Sequence, residues 1–453
     1  MNLRKELLSK VVLITIFYII TIWFFYLGAS ERYNSTNLFS SIRLFILLLF
    51  TPILFKYVLY LFVAPFYPVQ KFFKLTKYGR LYYPSVSVLI SAHNEEVGIA
   101  LTISSVIRTN YPRLEIIIVN DGSTDSTDKI VNAFIRNYLK KNGNVPIKYK
   151  KIANNGKSYA LNRGLSMARN EIIVTIDADS VMDKRFIGNI VTHFINPKVA
   201  GVAGNVIIGN KRRTLGLLQQ LEYLYGFYFK RADSILSAVY IVGGAAAAYR
   251  KRVIVGSGGF DENIITEDIE LSTRLQYLGY SVKYADNAVV YTEGPSDMKS
   301  LIKQRLRWKY GRLMTFYKYR RLFFSLDKKH NAYLSFLILP IALFNELLLL
   351  MEYPLLTVFY FYTFYTNDFF PLLFFIGFLT IVIVFQISSD SSKKYHKNLL
   401  PLAPIAWLLF YVMDFVEFQA IVKSIYYITT KKRMGWQRWI RKGVFKDGMG
   451  ADK

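Results

Sequence analysis

Two acidic residues in the middle of the chain are spaced to hold a divalent cation on a diphosphate. Asp177 and Asp179 follow the apolar run 172–176. On a strand, side chains two residues apart face the same side, so both carboxylates can converge on one Mg²⁺ or Mn²⁺. The alternative is a turn with two solvated acids. Upstream, Lys157 follows a glycine and can either approach a phosphate or remain solvated.

Two further acidic residues suggest binding and proton transfer. Asp121, in the turn-like run 120–123, follows an isoleucine-rich segment and can accept hydrogen bonds from a nucleobase or ribose, or only cap the turn. Asp268, in Thr266-Glu267-Asp268, can act as a general base that deprotonates an acceptor hydroxyl. The alternative for Asp268 is a helix N-terminal cap.

A fifth motif, Gln304-Arg305-Leu306-Arg307-Trp308, lies in a basic amphipathic segment that we expect on the membrane surface. The indole of Trp308 and the amide of Gln304 can bind a sugar ring, and the guanidinium of Arg307 can pair with the negative charge of a diphosphate. The alternative is a membrane-anchoring tryptophan flanked by snorkelling cations.

The elements that must position these residues lie between about residues 84 and 295. Short apolar strands alternate there with loops and helical patterns, which predicts an α/β domain with a parallel sheet. In such a sheet the working residues lie at the carboxyl ends of the strands. The predicted strands are Val86–Ser91, Glu115–Asn120, Pro146–Lys151 and Ile172–Asp177.

Composition narrows the functional classes. The chain has 453 residues, 53% of them hydrophobic, and no cysteine, which excludes disulfide scaffolds, thiolate nucleophiles and zinc ribbons. Its net charge of +27 fits either nucleic acid or an anionic membrane surface. Residues 299–330 hold eleven Lys or Arg against one Asp and border an apolar stretch. We therefore expect membrane lipids as partners and no nucleic acid.

Long apolar runs flank the central domain. They predict two N-terminal transmembrane helices in residues 1–67 and C-terminal transmembrane helices in residues 331–429. Between them we expect a cytosolic catalytic domain in residues 68–298 and interface helices in residues 299–330, with a basic cytosolic tail in residues 430–453. The apolar runs are Val11–Gly28, Ile42–Phe66, Tyr333–Tyr365, Phe369–Ile387 and Leu399–Thr429.

The motifs together resemble membrane-embedded, inverting family 2 glycosyltransferases such as the poly-N-acetylglucosamine, cellulose and hyaluronan synthases. The resemblance covers about residues 86–309 and includes Ala92-His93-Asn94-Glu95-Glu96 in addition to the motifs above. It implies an α/β GT-A domain, the nucleotide-diphospho-sugar transferase fold, inserted between transmembrane helices, and an enzyme that depends on Mg²⁺ or Mn²⁺.

The resemblance also implies roles for individual residues. Asp268 would be the catalytic base beside Glu267, and Asp177 and Asp179 would hold the metal. The nucleotide-sugar contacts would be Ala92, Glu95, Asp121, Lys157, Asp177, Asp179 and Arg307. The acceptor contacts would be Gln304, Trp308 and Gly244.

The layout is most similar to poly-N-acetylglucosamine synthases, because the run Thr266–Leu271 is uninterrupted. It implies a multi-pass enzyme of the plasma membrane that uses a nucleotide-diphosphate sugar, with a UDP-sugar favoured, to elongate and secrete a β-linked polysaccharide. The alternative is transfer of a single sugar to a lipid acceptor, such as a polyprenyl phosphate or a glycolipid.

Overall fold

The structure is a computed structural model that describes residues 55–70, 82–210, 214–390 and 396–432, together with ten isolated positions. The predicted first span, Val11–Gly28, lies outside these ranges except for seven isolated positions. Most of the predicted basic tail also lies outside them. Of the second predicted span, residues 55–63 are helical and continue into a 3₁₀ turn at Ala64–Phe66.

Eight strands form one sheet in the order β3-β2-β1-β4-β7-β6-β8-β5. β1 to β4 pair in parallel, as predicted. The other half of the sheet corrects the prediction, because β7 runs antiparallel to β4 and β6, and β5 runs antiparallel to β8. The strands are β1 Val86–Ala92, β2 Leu114–Asp121, β3 Ile147–Ile152, β4 Ile172–Asp177, β5 Ser180–Met182, β6 Val199–Ile208, β7 Ala247–Arg250 and β8 Ser281–Thr292.

Helices cover both faces of the sheet, which explains why the central strands are apolar runs without alternation. All eight residues of β2 are buried. The helices of this domain are α1 Ile99–Ile107, α2 Thr127–Lys140, α3 Lys157–Met167, α4 Phe186–Val191, α5 Thr214–Ile235, α6 Lys251–Gly256, α7 Glu267–Tyr277 and α8 Met298–Lys318.

The strand order places a crevice at the carboxyl end of β1. The chain builds β2 and β3 on one side of β1 and then crosses to β4 on the other side. Adjacent connections therefore leave in opposite directions, which opens a binding crevice above the strand ends. Ala92 pairs with Asn120, and Ser91 pairs with Asp177, so the ends of all three strands meet at this point.

Among the described residues after α8 there are three long apolar helices, α9 Leu339–Thr366, α10 Phe370–Ser389 and α11 Ala406–Thr429. By length and composition, 370–389 and 397–429 can each cross a membrane. A third candidate is the pair 334–348 and 352–366, which is bent by 70°. Pro354 lies just past the bend and cannot donate a backbone hydrogen bond, which accounts for the bend.

The sheet domain and the long C-terminal helices pack against each other through apolar side chains. Leu221 and Leu224 of α5 lie in one buried cluster with Ile383 and Ile387 of α10. Buried Arg231 of α5 also pairs with Asp390, the residue that follows α10, at 3.3 Å. Helix α5 therefore packs against both the sheet domain, to which it belongs, and the candidate membrane helices.

Candidate active site

A cavity of about 670 Å³ opens above the strand ends and extends to α8 and the helical segment 55–63. Every site residue that the sequence predicts lines this cavity: Ala92, Glu95, Asp121, Lys157, Asp177, Asp179, Gly244, Glu267, Asp268, Gln304, Arg307 and Trp308. Residues more than 200 positions apart in sequence therefore share one surface. Their individual roles stay predictions.

Asp121 ends β2 and organises the loop that leads into α3. Its Oδ1 accepts a hydrogen bond from the amide of Asn155, and its Oδ2 accepts one from the amide of Gly156, each at 2.9 Å. Gly156 has φ +94°, in the left-handed region that favours glycine. Each carboxylate oxygen can accept more than one hydrogen bond, so Asp121 can hold this loop and still receive a ligand donor.

Lys157, the first residue of α3, places its ammonium between two acids. Its Nζ lies 2.7 Å from Asp177 Oδ1 and 2.9 Å from Glu267 Oε1. Burial disfavours the charged ammonium, but Asp177, Glu267 and Asp268 outweigh it and raise the pKa of Lys157 above its ordinary value. Lys157 is therefore a fixed cation that joins the predicted metal-binding and catalytic motifs.

Asp177 and Asp179 lie at the cavity, although not for the predicted reason. Asp177 ends β4, whereas Ala178 and Asp179 form a turn before β5, so the strand periodicity that we invoked does not apply. Ser180 Oγ donates a hydrogen bond to Asp179 Oδ1 at 3.0 Å. Both carboxylates nevertheless line the same cavity.

Two carboxylates are a partial donor set for a metal. Among the described residues, no group of three or more His, Cys, Asp or Glu side chains is arranged to hold an ion. Mg²⁺ commonly takes one or two carboxylates and completes its octahedron with phosphate oxygens and water. Asp177 and Asp179 fit a cation that arrives with a diphosphate ligand.

Asp268, in the first turn of α7, has the properties of a general base. The amide of Gly244 donates to its Oδ2 at 2.7 Å, and the amide of Ile269 donates to its Oδ1 at 2.9 Å. Burial and the neighbouring Glu267 raise the pKa of Asp268 to about 6, while Lys157 opposes the increase. A base whose pKa lies near the working pH transfers protons efficiently.

The helix α8 carries Gln304, Arg307 and Trp308 on its cavity side. α8 packs against neighbouring helices through part of its surface, and Arg305 and Lys309 are only 1% and 5% exposed. Its expected location at the membrane surface stays a prediction. The Arg305 guanidinium stacks 4.1 Å from the Trp308 ring, whose orientation is thereby fixed.

Sequence reasoning missed the wall of the cavity formed by α5. Tyr223 lies beside Trp308, with ring centroids 6.4 Å apart, and Glu222 pairs with Arg305 at 2.5 Å. These residues belong to no recognisable motif. Because α5 is packed on both sides, its sequence shows only a mainly apolar stretch. At its end beside the helical segment 55–63, the cavity is lined by Lys56. A single charge within an apolar run was a usable signal for it.

Comparisons with known proteins place these features in context. A model of glycosyl transferase family 2 matches residues 87–256, and a model of glycosyl transferase family group 2 matches residues 172–416, more than half of the chain. A poly-beta-1,6-N-acetyl-D-glucosamine synthase from Staphylococcus epidermidis is 35% identical over 229 residues, which are 50% of this chain and 54% of that protein. Its counterpart from Staphylococcus aureus strain COL is 34% identical over the same length and shares. The matched region thus spans about half the length of these curated relatives.

A solved structure confirms the fold. A mannosyltransferase from Pyrobaculum calidifontis, in complex with GDP-Man and Mn²⁺, aligns with a TM-score of 0.54 and 18% identity, covering 85% of this chain and all of that chain. At this identity the likeness concerns the fold alone. Together with the mixed eight-stranded sheet, it confirms the predicted GT-A architecture.

Proposed function

This chain belongs to glycosyl transferase family group 2, and we propose that it transfers a sugar from a nucleotide-diphosphate donor to the end of a growing β-linked polysaccharide. The observation that carries the proposal is a single cavity in which Lys157 bridges Asp177 to Glu267, the residue before Asp268. A diphosphate bound beside Asp177 would therefore place its sugar near the carboxylate of Asp268.

The transfer is a single displacement at the anomeric carbon. Asp268 accepts the proton of the acceptor hydroxyl, whose oxygen forms the new bond to that carbon. The bond between the carbon and the diphosphate oxygen breaks, and the nucleotide diphosphate leaves with the electron pair. Because attack and departure occur on opposite faces, the anomeric configuration is inverted.

The leaving group gains negative charge as it departs, and fixed cations stabilise that charge most effectively in a site shielded from water. Lys157 contacts Asp177, at the predicted diphosphate position, and Arg307 lines the same cavity. A bound Mg²⁺ or Mn²⁺, held by Asp177 and Asp179, would supply additional charge neutralisation at the diphosphate.

The acceptor end is formed by Trp308 and Gln304 of α8. An indole face provides an apolar platform for a sugar ring, and an amide provides hydrogen bonds to its hydroxyls. Gly244 leaves room beside the base, since a Cβ there would lie 3.0 Å from Lys157 Nζ and 3.4 Å from Asp268 Oδ2. This space is where the attacking hydroxyl would enter.

We favour a UDP-sugar donor and a poly-N-acetylglucosamine-like product, on the similarity to the staphylococcal synthases. The candidate membrane helices after the catalytic domain support a membrane location. The basic runs beside the apolar segments favour a multi-pass protein of the plasma membrane whose catalytic domain faces the cytoplasm.

A donor panel tests this function. Purified full-length protein is incubated with radiolabelled UDP- and GDP-sugars, with Mg²⁺ or Mn²⁺, and the products are sized and partitioned into organic solvent. We expect a long polymer from UDP-N-acetylglucosamine that stays in the aqueous phase. A short product that partitions with lipid would overturn polymer synthesis and support transfer of one sugar to a lipid acceptor.

A further inference from the structure

A buried ion-pair network connects α8 to two candidate membrane helices. Lys309 Nζ lies 2.7 Å from Glu346 Oε2 of α9 and 2.8 Å from Glu417 Oε2 of α11. One ammonium of α8 therefore bridges both helices. Lys309 is 5% exposed and Glu346 is 2% exposed, so these charges lie inside the protein.

The network continues along the same side of α8. Arg312 Nη1 lies 2.6 Å from Glu346 Oε1, so one carboxylate binds two cations that are nearly one helical turn apart. Arg305, one turn before Lys309, pairs with Glu222 of α5. Residues 305, 309 and 312 follow the spacing i, i+4 and i+7, which places them along one stripe of the helix.

The neighbouring stripe of α8 carries the predicted acceptor platform. Gln304, Arg307 and Trp308 are spaced i, i+3 and i+4 and line the cavity. Trp308 directly precedes Lys309 and lies under the guanidinium of Arg305. A rotation of α8 about its axis would therefore break the ion pairs and move the indole together.

Attachment of α8 does not require these charges. Leu301 of α8 already packs in an apolar cluster with Met413 and Val416 of α11. Burying charged side chains is costly unless they are paired, and apolar packing alone allows several helix rotations. The ion pairs instead constrain the rotation, because Glu346 and Glu417 lie on different helices and a rotation of α8 would move Lys309 away from at least one of them.

We propose that Lys309, Arg312, Glu346 and Glu417 are positioning residues that set the rotation of α8, and hence the position of Trp308 relative to Asp268, according to the arrangement of α9 and α11. The inference rests on the proposed function, in which Trp308 binds the acceptor. It makes sugar transfer sensitive to the candidate membrane helices, and more so than donor binding, to which α8 contributes Arg307 alone.

The kinetic test separates donor from acceptor chemistry. In Glu417→Gln and Glu346→Gln, we expect transfer to the acceptor to fall at least about tenfold. Donor KM and donor hydrolysis by water, for which α8 supplies only Arg307, should change less, by under about threefold. Lys309→Arg should retain more transfer than Lys309→Met. Glu171→Gln, which removes a 2.9 Å pair with Arg250 away from the cavity, serves as the matched control. Equal losses of hydrolysis and transfer, or no loss in either, would overturn the proposal.

A distance measurement keeps the inference testable without activity. The chain contains no cysteine, so spin labels at Arg136→Cys and Tyr317→Cys, both exposed, report the position of α8 relative to the sheet. We expect one narrow distance in the parent and a shifted or broadened one in Glu417→Gln. If Glu417→Gln does not fold, the double variant Lys309→Met/Glu417→Gln is measured in its place, because it removes both members of the ion pair. An unchanged distance would refute the positioning role, whereas a parent that turns over no donor would refute only the proposed function.

Discussion

Replacing Lys157 by methionine should move the pH dependence of sugar transfer toward higher pH. Asp268 must be deprotonated to act as a base, so activity rises with pH through its pKa. That pKa is raised to about 6 by burial and by Glu267, and Lys157 holds it down. Loss of the Lys157 ammonium removes a charge that favours the carboxylate, which raises the pKa of Asp268 further.

The size of the effect follows from the pH dependence of kcat/KM expected for the parent enzyme. With a pKa of about 6, the deprotonated fraction falls from about nine-tenths at pH 7 to about one-tenth at pH 5, so kcat/KM should fall about tenfold. With the ordinary pKa of 3.8, the same change in pH would remove less than about a tenth of the activity. The two cases are readily distinguished by measuring initial rates of nucleotide diphosphate release.

The variant is compared with Lys150→Met, which removes an exposed lysine from β3. We expect the acidic midpoint of kcat/KM to be unchanged in this control and displaced upward in Lys157→Met, whatever the overall loss of rate. An acidic midpoint near 4 in the parent would refute the assignment of a raised pKa to the base. A midpoint that moves downward in Lys157→Met would refute the electrostatic reasoning.

Three further predictions test separate parts of the structure. Gly244→Ala introduces a Cβ 3.0 Å from Lys157 Nζ and should reduce transfer at least about tenfold with an unchanged unfolding temperature; full activity would show that the space is not used. Asp177→Asn should weaken Mn²⁺ binding in the presence of a nucleotide diphosphate by at least about tenfold, measured by titration, and an unchanged affinity would place the cation elsewhere. Arg231→Met removes a buried guanidinium that pairs with Asp286 and Asp390 and should lower the free energy of unfolding in detergent by about 3–5 kcal/mol; a loss below about 1 kcal/mol would contradict the burial argument.

The sequence was sufficient to predict the parallel half of the sheet and the acidic residues at its carboxyl edge. Strands that pair in parallel end at one edge, so acidic residues that follow apolar runs, such as Asp121 and Asp177, must meet there. The family motifs then added Asp268 and the residues of α8. All of these lie around one cavity.

The remaining features depend on tertiary contacts that local patterns do not encode. β5 and β7 contain only three and four residues, too few to show periodicity or direction. Asp179 occupies a turn, which the alternation rule does not anticipate. The pairing of Lys309 with Glu417 joins positions 108 residues apart, so no local pattern indicates that this lysine of α8 is buried in an ion pair.

The central claim is that Asp268 is the base of a glycosyl transfer reaction in this cavity, and Asp268→Asn tests it most directly. Asparagine keeps the size of the side chain but cannot accept the proton. The measurement is sugar transfer from the best UDP-sugar donor, together with donor affinity measured by equilibrium titration. We predict that transfer falls by about 10²–10⁴-fold while donor affinity changes by less than about threefold. Transfer within about threefold of the parent would contradict the account, because the proton would then have to leave by another route.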